Sequence, residues 1–295
     1  MLHHQFSSAQ RPERVVVVGA AGFIGSTLVK KLTSKNILTL PLGRCEIDLL
    51  ASDAGCRLAA MLHADDVFVA VAARAPCKNV PMLVENMRIV AALVEALTKS
   101  RVAHVVNISS DAVYADSSAP LTEESAMAPN TLHGVMHLAR ELAFRQDVHA
   151  PLTMLRPSLL YGAADPHNGY GPNRFRRLAN DGKDIILFGN GEERRDHVLI
   201  DDVVKIIARV IERRSIGALN IATGQTHSFR EIAELVAAEA PNKVGIKCSP
   251  RVGPMPHNGY RPFDSSATQA AFPDFRYTSL AEGVARAQRD QMSAG

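Results

Sequence analysis

A doubly wound α/β fold, a parallel sheet (Rossmann) with helices on both faces, is predicted by three observations. Short β-branched runs alternate with stretches of helical period through the first half of the chain. The first run ends directly in a glycine-rich turn that opens a helix. The strand-like runs are apolar almost throughout, as strands covered on both faces must be.

The first run, Arg14 to Val18, reads RVVVV and predicts a buried parallel strand. Residues 26–32 carry apolar side chains at helical spacing, residues 36–42 are strand-like again, and residues 66–72 (DVFVAVA) form a third run. Residues 82–97 return to helical period, and 103–108 (AHVVNI) predict a fourth strand followed by the turn-forming SSDAVY. A helix over 132–144 and a strand over 152–155 complete the alternation. After Arg156 the pattern loosens, and Gly, Pro and Asn crowd residues 162–173 into a substrate-side loop. Residues 198–212, 229–239 and 280–289 have helical period. We therefore expect a dinucleotide-binding domain over 14–155, with 198–225 returning to it. A small mixed substrate lobe is expected over 156–197 and 226–295, and a loose polar tail over 1–13.

With 295 residues, 46% of them hydrophobic, the chain can bury a large core. The net charge of +3 is spread along the sequence without a long basic run, so no nucleic-acid face is expected. Cys45, Cys56, Cys77 and Cys248 are widely separated and suit reduced thiols in a cytoplasmic protein. No apolar run is long enough to cross a membrane, so no membrane partner is expected.

The turn after the first strand reads Gly19-Ala20-Ala21-Gly22-Phe23-Ile24-Gly25. Gly19 permits the sharp turn, Gly22 lets the backbone approach a pyrophosphate, and Gly25 lets the helix sit close to the sheet. The phosphates then meet free amides at the positive end of the helix. At the end of the second strand the chain reads Leu42-Gly43-Arg44, with no carboxylate before Glu46. Arg44 suits a 2′-phosphate, so NADP is favoured, with NAD possible. Asp48 and Leu49 are placed to flank the adenine, and Ala72 and Ala73 let the cofactor lie close.

Taken together, these motifs resemble the extended short-chain dehydrogenase/reductases, in particular the nucleotide-sugar epimerase/dehydratase family. The resemblance spans about Arg14 to Arg289. It is carried by Gly19, Gly22 and Gly25 with Phe23-Ile24, by ISSDAVY from Ile108 to Tyr114, and by RPSLLYG from Arg156 to Gly162. It continues through Gly189-Asn190-Gly191, RDHVLIDDV from Arg195 to Val203, Arg261-Pro262-Phe263-Asp264 and Ser279-Leu280. The resemblance implies that Ser110 is the catalytic hydroxyl bonded to the sugar. It puts Asp111 where dehydratases carry an acid, but Ala112 stands where their glutamate would be, which disfavours elimination of water. Reduction or epimerisation of a nucleoside-diphosphate sugar remains. Arg195 and Arg261 resemble the arginines that hold the substrate pyrophosphate, and Asn173 lies in the loop that covers the nucleotide sugar. The resemblance also implies a homodimer built on the two long helices.

One departure bears on the chemistry. The family's proton-handling pair is Tyr-x-x-x-Lys, and the matching positions here are His133 and His137. Imidazole has an ordinary pKa of about 6.5, so His133 can exchange a proton near neutral pH without help. His137, one turn later on the same face, can bond the cofactor ribose. Imidazole is shorter than phenol, so a water bridges or the substrate sits deeper. His133, His137 and Glu141 fall at i, i+4 and i+8, but no further ligand context accompanies them and no metal is expected. A catalytically silent binder of cofactor or sugar nucleotide is the rival reading. His63 and His104 are expected at the surface or a strand edge, and His197 as a packing residue.

Overall fold

The structure, a computed structural model, describes residues 2–293; residue 1 of the expected tail and residues 294–295 of the expected lobe lie outside the described residues. The β-branched runs form β2 (Arg14–Val18), β3 (Thr39–Leu42), β4 (Asp66–Ala70), β5 (His104–Ile108) and β6 (Leu152–Pro157), all preceded in the chain by β1 (His3–His4). The intervening helices are α1 (Phe23–Ser34), α2 (Ala54–Ala59), α3 (Val80–Lys99) and α4 (Leu132–Asp147). Then follow β7 (Leu159–Tyr161), α5 (Pro172–Asn180), β8 (Ile185–Phe188), β9 (Arg194–Leu199), α6 (Ile200–Arg213) and β10 (Ser215–Ile221). The chain ends in β11 (Thr226–Ser228), α7 (Phe229–Ala238), β12 (Ile246–Ser249), β13 (Tyr260–Arg261), α8 (Ser266–Ala271) and α9 (Leu280–Ser293).

Among the described residues the main sheet runs β1-β10-β6-β5-β4-β2-β3, parallel except for β1. The chain reverses its winding direction beside β2, since β3 lies on one side of it and β4 on the other. The carboxyl ends of β2 and β4 therefore open a crevice, the usual ligand position in such sheets. Strand periodicity assigns the layers. Val15 and Val17 pack with Leu28, Val203, Ile207 and Val210 under α1 and α6. Val16 and Val18 face the other way, onto Leu58, Leu93 and Phe144 of α2, α3 and α4. A separate core of Phe175, Leu187, Phe229 and Ile232 holds the smaller lobe.

Three features differ from the sequence reading. Residues 198–199 end β9, and the helix starts only at Ile200, because Leu199 keeps extended backbone (φ −68, ψ 135). β10 was not expected, its run SIGALNI being interrupted by Gly217. The tail is not loose. His3 and His4 pair with Ile216 and Ser215 across the edge of the sheet, and the His4 ring bonds Ser215 Oγ at 2.7 Å and Ala271 O at 2.9 Å. An edge strand has unpaired backbone groups to satisfy, and this segment satisfies them on β10.

His104 is likewise not at the surface: it is fully buried, with Nε2 2.7 Å from Ser215 O and 2.9 Å from Thr153 Oγ1. Burial pushes its pKa down to about 4, and that of the equally buried His197 to about 3. Below its ordinary pKa, the unfolded chain binds protons on these rings that the folded chain refuses. Stability must therefore fall as the pH drops from about 6.5 toward 4. We expect urea unfolding at pH 4.5 and 7.5 to show the wild type losing about 2.5 kcal/mol more over this interval than the variant His104→Gln. An equal loss in both proteins would contradict this account.

Candidate functional site

The glycine turn fits a dinucleotide by the space it leaves. Gly19 has φ +97, and a Cβ on it would stand 2.6 Å from the backbone nitrogen of Ala72. A Cβ on Gly25 would stand 2.1 Å from Gly19 O, so only glycine lets α1 pack this closely behind the turn. At Gly22 the nearest atom would be Gly19 O at 3.4 Å, which leaves that side of the backbone open. Gly22 also caps α1 without a side-chain hydrogen bond, so first-turn amides are left for an anion. The cradle thus suits a pyrophosphate.

A single cleft of about 1010 Å³ starts at this turn. Gly19, Gly22, Phe23, Ile24, Ala72 and Ala73 line one end with Arg44, Asp48 and Leu49, while Gly25 lies behind the wall. Ser110, Asp111, His133 and His137 line the middle, and Asn173, Arg195 and Arg261 the far end.

Local structure dictates the middle. Ser110 caps the short 3₁₀ turn after β5: its Oγ accepts from Ala112 N at 3.1 Å and donates to Asp111 Oδ1 at 3.2 Å. Thr131 caps α4, accepting from Gly134 N at 3.1 Å. A Cβ on Gly134 would stand 2.1 Å from Ala112 O, so α4 presses directly on the turn that carries Ser110 and Asp111. His133 and His137 then meet edge to face, with ring centroids 4.7 Å apart.

His133 Nδ1 accepts the backbone N–H of Cys77 at 3.4 Å, which puts the proton of the neutral ring on Nε2. Burial lowers the pKa of His133, the Asp111 carboxylate opposes that, and His167 reinforces it. His137 is only 6% exposed and is pushed well below the usual histidine value by burial, His133 and Arg140. Its Nδ1 has no partner among the described residues. Both rings are therefore neutral at pH 7. Glu141 does not face them. Its carboxylate takes two 2.8 Å bonds from Arg156 and one of 2.7 Å from Arg145. The three residues at i, i+4 and i+8 are thus not assembled as ligands, and no metal-competent group of three such residues occurs among the described residues.

At the far end the arginines differ in availability. Arg261 is engaged, donating to Asp111 Oδ2 at 3.0 Å, Asp111 O at 2.6 Å and Asp116 at 3.3 Å. Arg195 bonds Glu193 at 2.6 Å and Pro256 O at 2.9 Å, but its Nη1 is buried without a partner among the described residues. The Asn173 amide is spent within the lobe, on Gly162 N and Leu160 O, both at 3.1 Å. His197 packs edge-on against Phe229 at 5.7 Å, in line with its expected packing role.

Sequence reasoning missed several members. Arg251 shares Glu193 with Arg195 at 3.3 Å and also buries an unpartnered Nε, but its loop has no periodicity to mark it. His257 binds Asp116 beside Arg261. Glu46 turns back to accept the Gly43 N–H at 2.7 Å, a return that spacing alone does not reveal. Arg140 of α4, buried behind the cleft wall, also carried no signal in the sequence.

This fold and its glycine turn are those of a dinucleotide-binding protein. The chain belongs to the NAD dependent epimerase/dehydratase family, an enzyme family whose model matches residues 15–222. It is 27% identical to the UDP-glucose 4-epimerase of Mycolicibacterium smegmatis (strain ATCC 700084 / mc(2)155) over 308 residues, covering 92% of this chain and 96% of that one. To the dTDP-4-dehydro-6-deoxy-D-allose reductase of Streptomyces bikiniensis it is 25% identical over 279 residues, covering 80% and 84%. The crystal structure of the Thermus thermophilus UDP-glucose 4-epimerase in complex with NAD matches with a TM-score of 0.81 at 22% identity, over 96% of this chain and 99% of that one.

Proposed function

We propose that this protein is an NAD-dependent oxidoreductase or epimerase acting on a nucleoside-diphosphate sugar, with His133 in the position of the usual tyrosine. The observation that carries this is the continuity of the cleft: the glycine turn, the Ser110–His133 centre and the partly unpaired Arg195 and Arg251 line one cavity. Two arginines share the one Glu193 carboxylate, which leaves positive charge for a diphosphate.

When bound, the cofactor supplies or takes a hydride at the sugar carbon. The protein's part is polar. His133 Nε2–H is a donor available to a carbonyl oxygen, the Ser110 hydroxyl joins it by turning its proton from Asp111 toward that oxygen, and a neutral imidazole held in one tautomer acts as such an electrophile. Because Cys77 N–H occupies Nδ1, neutral His133 gives a hydrogen bond more readily than it accepts a proton. This favours ketone reduction, in which the oxygen left negative by hydride addition is stabilised by the His133 hydrogen bond and takes its proton from water, over epimerisation, which begins by taking a proton from a hydroxyl. Asp111, tied to Arg261, is held in place and orients the Ser110 hydroxyl. A silent binder is the second reading, favoured by the unpartnered His137 Nδ1, an unsatisfied group where the family has a lysine.

We expect His133→Ala to lower turnover by at least about 100-fold on a 4-keto nucleotide sugar while cofactor affinity changes less than about threefold. Unaltered turnover would remove His133 from the mechanism. Absence of hydride exchange in the wild type, across a panel of uridine and thymidine diphosphate sugars, would instead support the silent binder.

For the cofactor, the expectation of NADP rested on Arg44, but its side chain is 77% exposed and only 3.9 Å from Asp48. The Glu46 carboxylate, folded onto Gly43 at the end of β3, opposes a 2′-phosphate and suits ribose hydroxyls. We therefore read NAD as the cofactor. Glu46→Ala should shift the NAD-to-NADP affinity ratio toward NADP by about tenfold, roughly the effect of one partly screened charge. A wild type that prefers NADP would sink this reading.

Exposed apolar side chains on the outer helices, Val80 and Val84 of α3 with Val135 and Leu142 of α4, support a homodimer across these helices. Analytical ultracentrifugation should give a dimer for the wild type and a monomer for Leu142→Glu; a monomeric wild type would refute it. The exposed free thiols of Cys45, Cys56 and Cys248 suit a reducing, cytoplasmic setting, which recovery of the protein from a secreted fraction would contradict.

A further inference from the structure

Arg140 is 1% exposed, and its guanidinium is not neutralised by any carboxylate among the described residues. Nε donates to Asn107 Oδ1 at 2.5 Å, Nη1 to Ala72 O at 2.6 Å and Nη2 to Ala70 O at 2.8 Å. The neighbouring Glu141 is taken by Arg156 and Arg145, and Asp111 by Arg261. A buried cation with only neutral acceptors is expensive to keep, and burial indeed lowers its pKa, to about 10. It remains charged at pH 7.

The three bonds reach the segments that frame the reaction centre. Asn107 lies on β5, two residues before Ser109 and three before Ser110. Ala70 ends β4, and Ala72 forms the cleft wall against which Gly19 is pressed. From α4, which carries His133 and His137, one guanidinium thus fastens helix, cofactor floor and serine strand together. Its charge lies one carbonyl behind the cleft wall, next to a His137 that burial holds neutral.

We propose that Arg140 is a positioning residue that supplies the buried positive charge of this centre, so that the cleft favours the uncharged, reduced nicotinamide over the positively charged, oxidised one. The inference rests on the dinucleotide reading given above. It differs from a purely structural role because it concerns the ratio of two affinities, which loosened packing alone would lower together.

The test is fluorescence titration of NADH, with competition by NAD⁺, on the wild type, Arg140→Met, Arg140→Lys and Asn107→Asp. The NADH-to-NAD⁺ affinity ratio is expected to fall about tenfold in Arg140→Met, the size of a removed and moderately screened unit charge. Arg140→Lys should stay within about threefold of the wild type, because it keeps the charge. Asn107→Asp places a carboxylate beside Nε without removing the arginine, and should lower the ratio as Arg140→Met does. It serves alone if Arg140→Met does not fold. A ratio within about twofold of the wild type in the folded neutralised variants, with both nucleotides still bound, overturns this inference and leaves the dinucleotide reading intact. A wild type that binds neither nucleotide overturns both.

Discussion

Helix α4 is seated against the turn after β5 and against the sheet, and two of its contacts set the geometry of the cleft. Near its start, Gly134 lies so close to Ala112 O that no side chain fits between them. Further along, Glu141 takes both 2.8 Å bonds from Arg156 of β6, with neither side chain more than 2% exposed. Removing one partner from such a pair typically costs about 3–5 kcal/mol, because the other charge is left buried and unmatched. Tyr114 reinforces the arrangement, accepting from Arg156 at 2.6 Å and donating to Asn220 of β10 at 2.7 Å. With both contacts held, His133 has little freedom relative to Ser110, the rigidity that the proposed reaction would need.

Charge is distributed unevenly along the cleft. At the end beside the glycine turn, Arg44 and Asp48 are exposed and weakly coupled, so water screens them. In the middle, two neutral imidazoles sit between an engaged carboxylate and a buried guanidinium. At the far end, Arg195 and Arg251 outnumber their shared Glu193. On the proposed reading, an anionic ligand is attracted at the far end and a second positive charge is disfavoured at the centre. Low dielectric makes each of these preferences stronger than it would be in water.

On the proposed reading, in which His133 and His137 stand where the family has Tyr-x-x-x-Lys, the difference is one of charge as well as of hydrogen bonding. A lysine would bring its own charge to the cofactor side of α4. His137 does not, since burial and its cationic neighbours keep it neutral. The positive charge present in this region belongs to Arg140, one turn further along the helix and held by backbone carbonyls.

Much of this was legible in the linear chain. The β-branched runs and the glycine spacing determined the sheet, the turn and the cofactor end, because strand burial and tight turns depend on local residue type. Ser110, His133 and Arg195 were singled out through the resemblance to a family, each inside a recognisable segment, and all three line the one cleft. Local reading missed β10 because Gly217 breaks the apolar run, and it misread the tail, whose order comes wholly from pairing with that unforeseen strand. Glu46, Arg251, His257 and Arg140 also escaped it. Their partners are backbone groups, or side chains whose closeness no spacing rule describes, and the engagement of Arg261 by Asp111 spans 150 residues. The sequence by itself determined which segments fold and where a dinucleotide can lie. Only the tertiary structure decided which charges in the cleft are spent and which remain free, because neutralisation and burial depend on the distances between segments remote in the chain.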